Sequence, residues 1–286
     1  MKRPPLPPAF VAQARAYETG EATPAEPRNA ATVVILRDGA SGSEVYLMRR
    51  QTTMAFAGGM CVFPGGGVDP RDFSGGPHDD AVWTGPSVSD WASTLGCTSE
   101  LARALVCAAV RETFEESGVL LAGPSADTVV DDTTGDDWEA DRVALESREL
   151  SMTDFLVRRG LVLRTDLLGA WAGWLTPVFE PKRYRTWFFV AALPGAQVTR
   201  DVSSESSSVT WVPAMSAVEA VEAGEMLMLP PTYLTCLEIG QLGSASAALA
   251  AATSRTVDMF TPEVISSGED FILSTPPGYE ALLESR

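Results

Sequence analysis

RETFEESGV, residues 111–119, is the most informative stretch of this sequence. In a helix, Glu112, Glu115 and Glu116 are spaced by three and four residues, so their carboxylates share one face. Close like charges repel by roughly 0.2–0.5 kcal/mol per pair, and a hard divalent cation such as Mg²⁺ turns that repulsion into binding. The alternative is an acidic helix face that points to water, as most charged runs do. The spacing alone is therefore compatible with a metal site and with ordinary surface.

A glycine-rich turn, PGGGVDPRD at residues 64–72, precedes this helix. It follows the apolar residues 61–63, which are typical of a short strand that enters a tight turn. Glycine has no Cβ, so the backbone of the turn can approach a metal ion and phosphate groups closely. The helix is expected to span residues 98–117, with Gly118 closing it. This context favours an ion-binding site over a solvated helix face.

Composition limits the expected partners. Hydrophobic residues make up 45% and charged residues 21% of the 286 residues, as in an ordinary globular protein. The formal net charge of −17 repels phosphodiester backbones, so nucleic acid is not an expected partner. A small anionic substrate needs metal ions or clustered arginines that reverse the field locally. We find no secretory leader and no run of about 20 apolar residues, so no membrane insertion is expected.

The cysteines are far apart and form no C-x-x-C pair: Cys61, Cys97, Cys107 and Cys236. His78 is the single histidine, which makes a structural zinc site improbable. This pattern favours free thiols in a cytoplasmic protein.

Local patterns divide the chain into an N-terminal arm (1–28), a central domain (29–215) and a helical C-terminal extension (216–286). The domain contains an insertion at about 73–98, which is expected to be a lid or a decoration, and a helical insert at about 138–160. Strands are expected at 31–36, 44–50, 61–63, 170–176, 185–193 and 209–212. Strands with flanking helices predict an α/β (α+β) sandwich.

The turn and the helix together resemble the signature of the Nudix hydrolases. The matching residues are Gly66, Arg111, Glu112, Glu115, Glu116, Gly118 and Val119, with Asp72 where the family has Glu. Thr113 stands where the family has an apolar residue.

A long insertion between Asp72 and Arg111 interrupts the signature, as in the subgroup of peroxisomal coenzyme A diphosphatases. Further similarity to that subgroup lies in WLTP (174–177), RYRTWFF (183–189), TWVP (210–213) and LPPT (229–232), so the resemblance covers about residues 30–262. Arg185 stands where the subgroup usually has Asp.

The resemblance implies an α/β/α sandwich around a mixed sheet and a metal-activated water that attacks a diphosphate. It implies Mg²⁺ or Mn²⁺ as cofactor, held by Glu112, Glu115 and Glu116 together with Gly66. Glu112 and Glu116 are the expected catalytic groups, and Glu205 is the candidate general base. The alternative for Glu205 is a solvated loop carboxylate.

Other residues are expected to support the site or to bind substrate. Arg111 and Asp72 are candidates for orienting the metal-binding carboxylates from behind. Arginine suits diphosphate oxygens through paired hydrogen bonds. The candidates for substrate binding are Arg50, Arg183, Gly65 and Gly67. Each of the two arginines has a structural or surface role as its alternative.

The leading hypothesis is a metal-dependent pyrophosphohydrolase that acts on a nucleoside diphosphate derivative such as coenzyme A or acyl-CoA. ADP-ribose, dinucleotides and oxidised nucleotides remain alternative substrates. A non-catalytic nucleotide-sensing module and an interaction scaffold built on the tail from Ser216 are the alternatives from other classes. The partner expected is a small molecule, with no membrane and no nucleic acid, and a homodimer is left open.

Overall fold

A computed structural model gives the structure of the chain and describes residues 6–54, 57–73, 81–268 and 270–284. The predictions that concern residues 1–5 of the arm, residues 74–80 of the insertion and His78 therefore lie outside the described residues.

The described residues form both helices and strands. The helices are α1 (Pro8–Glu18), α2 (Val88–Leu95), α3 (Ser99–Ser117), α4 (Asp136–Glu146), α5 (Met152–Arg159), α6 (Ala214–Glu222), α7 (Pro230–Leu242), α8 (Ala245–Ala252) and α9 (Tyr279–Glu284). The strands are β1 (Arg28–Gly39), β2 (Gly42–Arg50), β3 (Cys61–Val62), β4 (Gly65–Gly67), β5 (Trp83–Thr84), β6 (Ala122–Gly123), β7 (Val162–Arg164), β8 (Gly169–Leu175), β9 (Tyr184–Ala192), β10 (Ser206–Pro213), β11 (Met259–Phe260), β12 (Val264–Ser267) and β13 (Asp270–Leu273).

The main sheet is mixed. Its strand order is β10–β2–β1–β9–β8–β11, with β3 also on β2 and β4 also on β1. The pairs β1–β9 and β8–β11 are parallel, and the pairs β1–β2, β1–β4, β2–β10 and β8–β9 are antiparallel. Strand β1 lies inside the sheet and is buried on both faces, which explains its continuous apolar sequence.

Helices cover both faces of this sheet. Alternate residues of β1 reach opposite faces. Val33 and Ile35 join the core that contains α3, whereas Val34 and Leu36 join the core that contains α6, α7 and α8. The predicted α/β/α sandwich around a mixed sheet is confirmed.

Helix α3 follows its local sequence signals. The hydroxyl of Thr98 caps its first turn by accepting the N–H of Leu101 at 3.3 Å, and Gly118 ends it in the left-handed conformation with φ 73°. The hydroxyl of Thr113 donates to the carbonyl of Ala109 at 2.7 Å, so this polar residue is buried without an unsatisfied group. The predicted helix is confirmed, and its last two turns carry the three glutamates.

The described part of the insertion, residues 81–98, packs on the core. Trp91 and Leu95 of α2 are buried in the core that contains α3. The indole N–H of Trp187 donates to the carbonyl of Leu95 at 2.9 Å, which fixes α2 to the sheet. Apolar residues at i and i+4 of α2 explain why it packs inward.

The C-terminal extension is less helical than expected. β11 joins the main sheet beside β8, and β12 and β13 form a hairpin. Pro262 disfavours a helix across this segment, and the β-branched residues Val264 and Ile265 favour a strand. Strands of two to four residues are too short for an alternating pattern to appear in the sequence.

The N-terminal arm contains a helix, α1. Val11 and Ala14 are buried, and the side-chain amide of Gln13 donates to the carbonyl of Phe179 at 2.8 Å. The described part of the arm is therefore docked on the turn between β8 and β9.

The four cysteines all lie within the described ranges and are free thiols. Burial raises the pKa of the Cys61, Cys107 and Cys236 thiols, which makes these side chains poor nucleophiles. None of the helices in these ranges combines the length and the apolarity that a bilayer span requires.

Candidate functional site

A cavity of about 1030 Å³ lies beside β4 and the C-terminal end of α3. Most of the residues that the sequence singles out line it: Arg50, Gly65, Gly66, Gly67, Arg111, Glu112, Glu115, Glu116 and Glu205. The fold thus brings together residues that are far apart in sequence. Asp72 and Arg183 are not among the lining residues.

The glycines of β4 let two glutamates approach the backbone. The N–H of Gly65 donates to Oε2 of Glu116 at 2.7 Å. A Cβ on Gly66 would lie 2.5 Å from the carboxylate oxygens of Glu112, so only glycine permits this approach. β4 is held in place by its pairing with β1, in which Thr32 lies opposite Gly65. The expected turn is therefore a short strand that receives both carboxylates.

Arg111 is the hub of the acidic end of α3. Its Nε and Nη2 donate to the two carboxylate oxygens of Asp72 at 2.9 and 2.8 Å. Its Nη1 donates to Glu112 at 2.8 Å and to Glu115 at 3.2 Å, and Nη2 also donates to the carbonyl of Gly67 at 3.1 Å. Arg111 and Asp72 are 5% and 3% exposed. Asp72 thus acts on the two glutamates through the guanidinium that it fixes.

Burial raises the pKa of all three glutamates. For Glu116 the pKa lies well above its ordinary value because of desolvation and the neighbouring charge of Glu112. Desolvation also raises the pKa of Glu112 and raises that of Glu115 to about 7, while Arg111 lowers both. The site therefore tends to keep protons until a cation replaces them.

The donor set fits a hard divalent cation that keeps part of its water shell. No three acidic, histidine or cysteine side chains of the described residues already surround a common point. The reason is that Glu112 is bonded to Arg111 while Glu116 is bonded to Gly65. Mg²⁺ commonly takes one or two carboxylates and completes its shell with water and substrate phosphate oxygens. Glu112 and Glu116 provide such oxygens, whereas a closed set that includes Glu115 and Gly66 is not preformed.

Glu205 and Arg50 form an ion pair at the cavity. Nη2 of Arg50 donates to Oε2 of Glu205 at 2.9 Å, and their side chains are 18% and 49% exposed. The charge of Glu205 contributes to the raised pKa of both Glu112 and Glu116, so it lies within electrostatic reach of them. Nε of Arg50 has no hydrogen-bond partner in the part of the chain that the structure describes. The hydrogen bond to Glu205 therefore does not use all the N–H donors of Arg50.

Arg183 has a structural environment behind Thr176, which lines the cavity, and is not itself a lining residue. It is buried, and its guanidinium donates to the carbonyls of Thr176 at 3.0 Å and Ala25 at 3.1 Å. It thereby ties the segment before β1 to the turn between β8 and β9. The structure does not bring Arg183 together with the other predicted substrate-binding residues.

Sequence reasoning missed a bridge from α3 to the loop that carries Glu205. Nη1 of Arg142 donates to the carbonyl of Glu115 at 2.7 Å and to Oε2 of Glu146 at 3.0 Å. Oε1 of Glu146 accepts the hydroxyl of Ser204 at 2.6 Å. The only local signal was an arginine inside a predicted helix, because the partners lie far apart in sequence.

A family model described as the NUDT19 Nudix domain matches residues 91–239, just over half of the chain. The matched span includes all of α3, strands β8 to β10 and most of α7. Glu112, Glu116 and Glu205 lie within it, whereas Arg50 and β4 precede it.

Individual proteins show the same similarity. Putative nudix hydrolase 7 of Caenorhabditis elegans is 24% identical over 220 residues, covering 75% of this chain but only 61% of that protein. Acyl-coenzyme A diphosphatase NUDT19 of Xenopus laevis is 25% identical over 270 residues, covering 83% of this chain and 71% of that protein. The crystal structure of a NUDIX hydrolase from Alicyclobacillus acidocaldarius has a TM-score of 0.63 at 27% identity, covering 82% of this chain and 98% of that one.

Proposed function

The chain belongs to the Nudix hydrolase family, and on that premise we propose that it hydrolyses the diphosphate linkage of coenzyme A or an acyl-coenzyme A with Mg²⁺ or Mn²⁺. The main support is the burial of Glu112 and Glu116 against the glycine strand β4, at the wall of a large cavity. Burial raises the pKa of these carboxyl groups, and a bound cation would stabilise their charged form. A chain with a net charge of −17 also needs that cation to accept a diphosphate.

Each residue of the site has a proposed role. Glu112 and Glu116 would hold the ion, which would neutralise the diphosphate and acidify a bound water. Arg50 binds a diphosphate oxygen through the donors that Glu205 leaves free. If the bound diphosphate also takes the Nη2 donor of Arg50, the ion pair opens and Glu205 is free to accept a proton from the attacking water.

Two observations favour coenzyme A among the diphosphates. The Xenopus relative is named as an acyl-coenzyme A diphosphatase, and its similarity extends over 83% of this chain. The cavity of about 1030 Å³ lies at the upper end of the range of about 300–1,000 Å³ that small ligands use, so it can take a substrate larger than a simple nucleotide.

The test is a substrate panel with purified protein. Coenzyme A, an acyl-coenzyme A, ADP-ribose, a dinucleotide and an oxidised nucleotide are each incubated with Mg²⁺, with Mn²⁺ and with a chelator, and the products are identified by mass. We expect coenzyme A to yield 3′,5′-ADP and phosphopantetheine only in the presence of metal.

Two results would contradict the proposal at different levels. Hydrolysis of another diphosphate without turnover of coenzyme A would show that the substrate is wrong. Binding of nucleotides without any turnover would favour the non-catalytic sensor.

A further inference from the structure

We propose that Arg28 and Arg148 form a second anion subsite, which binds a phosphomonoester that the substrate carries apart from its diphosphate. This inference rests on the proposed function, because it assumes that a nucleotide diphosphate occupies the cavity.

The arginines of the cavity differ in how far they are neutralised. Among the residues that the structure describes, four arginines line it: Arg28, Arg50, Arg111 and Arg148. Arg111 is bonded to three carboxylates, and Arg50 is paired with Glu205 at 2.9 Å. Arg148 lies 3.6 Å from Asp69, which is longer than a hydrogen bond, and Oδ1 of Asp69 already accepts from Arg71.

Arg28 and Arg148 are therefore the arginines of the cavity that no carboxylate of the described residues holds through a hydrogen bond. Arg28 is exposed and has no ion pair or side-chain hydrogen bond within the described ranges. The side chain of Arg148 is 75% exposed. In a chain with a net charge of −17, most of the surface repels anions, so unneutralised arginines at a substrate cavity would attract an anionic group to their position.

Strand register places both arginines at the same end of the cavity. Thr32 pairs with Gly65, whose N–H binds Glu116, and the antiparallel pairing continues to the N–H of Val68 on the carbonyl of Asn29. Towards the N-terminal end of β1, the next residue after Asn29 is Arg28. On the opposite, antiparallel segment, the next residue after Val68 is Asp69, which lies beside Arg148. At about 3.3 Å per residue, this end lies roughly 13 Å along the strand from the Glu116 end. Because arginine side chains are long, they can reach back toward the Glu116 end. The distance between the second anion and the diphosphate is then about the length of one sugar.

The backbone of Arg148 provides an independent observation. Its φ is 66°, in the left-handed region that glycine usually occupies after a helix, and its N–H closes α4 by donating to Leu145 at 2.9 Å. An arginine here is strained, and its mostly exposed side chain gains little from packing. Such strain is concentrated where a side chain is needed for function.

The ligand class follows from this geometry. Arginine binds phosphate through paired charge-assisted hydrogen bonds, and two arginines suit a dianionic phosphomonoester better than a hydroxyl. For coenzyme A, the group concerned is the 3′-phosphate of the ribose. The subsite would therefore select coenzyme A over its form without that phosphate.

The first experiment measures binding without catalysis. Calorimetry compares adenosine 3′,5′-bisphosphate with adenosine 5′-monophosphate on the wild-type chain and on the variants Arg28→Ala and Arg148→Gly. We expect each variant to weaken the bisphosphate about tenfold, the loss of one charged hydrogen-bonding group, and to leave the monophosphate unchanged. Arg158→Ala, which removes an exposed arginine of α5 outside the cavity, should change neither affinity.

Thermal unfolding separates this role from a structural one. Because glycine suits the left-handed conformation, Arg148→Gly should raise the melting temperature by about 2 °C while it weakens binding. Arg148→Lys should keep the strain and part of the affinity.

Equal affinity of the wild type for the two nucleotides, or equal losses for both in the variants, would overturn the subsite. Kinetics distinguishes this failure from failure of the proposed function. If the wild type hydrolyses coenzyme A and dephospho-coenzyme A with the same kcat/KM, the subsite is wrong and the hydrolase stands. If it hydrolyses neither, the proposed function fails, whatever the binding data show.

Discussion

Helices α3 and α4 are both rich in carboxylates, yet their carboxylates have opposite pKa shifts. In α3, desolvation raises the pKa of Glu115 to about 7 and raises that of Glu116 further. In α4, the hydrogen bond from Arg142 lowers the pKa of Glu139, and the one from Arg159 lowers that of Asp137. Asp137 and Glu139 of α4 are each paired with an arginine near the surface, whereas Glu115 and Glu116 of α3 are buried.

This difference shows that acidic segments of similar sequence lie in different environments in this chain. An arginine-paired acidic face is present in α4, and a buried acidic cluster is present in α3. Residue type and helical spacing are similar in the two helices, so burial decides between them. Burial in turn depends on β4, which lies opposite α3 and has no counterpart opposite α4 in the described residues.

The largest difference between the helices is expected when an arginine that pairs with their acids is removed, Arg111 within α3 and Arg158 of α5, which pairs with Asp141 of α4. Arg111→Met leaves Asp72 and Glu115 buried without a countercharge, and we expect a loss of about 3–5 kcal/mol in the free energy of unfolding. The control is Arg158→Met, whose side chain is 53% exposed in its pair with Asp141, and it should lose less than about 1 kcal/mol. Urea unfolding of both variants measures the contrast. Equal losses would mean that the α3 cluster is no more buried in solution than the surface pair.

Neutralising one acid in α3 should lower the catalytic activity much more than neutralising one acid in α4. Glu116→Gln keeps the shape and can still accept the N–H of Gly65, but it removes one of the charges that are proposed to hold the ion. We expect kcat to fall on the order of 10²–10³-fold, the usual effect of losing one electrostatic group at a reacting centre. Asp136→Asn, in the first turn of α4, should stay within about twofold. Unchanged turnover in Glu116→Gln, with the protein folded, would remove the metal-binding role from α3.

The stability of the chain should depend on pH in opposite directions through the acids of α3 and those of α4. The folded pKa of Glu115 is about 7 against an ordinary 4.5, so as pH rises through this window the unfolded chain loses a proton that the folded chain keeps. Without metal, this group alone should reduce stability by roughly 3 kcal/mol between pH 4.5 and 7. Glu139, whose pKa is lowered, contributes stability above pH 4.5 that is lost as pH falls.

The measurement is urea unfolding at pH 5 and pH 8, with and without Mg²⁺. Mg²⁺ should stabilise the chain more at pH 8, because it binds the deprotonated carboxylates. Glu115→Gln is the control and should reduce the metal-free difference, leaving the part that Glu112 and Glu116 contribute. Stabilisation by Mg²⁺ that is equal at both values would contradict the coupling of protons and cation.

The part of the fold that the sequence predicted is the part with local signals. α3 and α5 have capping residues at one end and glycine at the other, and β1 and β2 are apolar strands around a glycine turn. β4 could not be predicted because its three glycines have no strand propensity and its pairing with β1 is non-local. The strands of the C-terminal extension were missed for the same reason.

The candidate site was predictable where spacing within one helix defines it. Glu112 and Glu116 follow from helical periodicity, and Gly66 follows from the need for close approach. Arg50 and Arg183 look alike in the sequence, since each is an arginine beside a strand. Their partners come from distant segments, so only the structure separates the arginine at the cavity from the one that binds backbone carbonyls.

The smallest effect is expected where the two helices are connected. Ser204 joins α4 to the loop of Glu205, because its hydroxyl donates to Glu146 at 2.6 Å while Arg142 holds Glu146 and the end of α3. Ser204→Ala removes one exposed hydrogen bond, so we expect stability to fall by no more than about 1 kcal/mol.

If that bond orients Glu205, kcat in Ser204→Ala should fall by a few-fold, on the order of the 1 kcal/mol that one hydrogen bond contributes, with KM nearly unchanged. Ser207→Ala is the matched control, since the hydroxyl of Ser207 donates to the carbonyl of Arg49 at 3.1 Å and does not touch α4. Steady-state kinetics of the two variants at saturating metal makes the comparison. Equal kcat values in both would mean that Glu205 keeps its position without α4, and that the two acidic helices contribute to the site independently.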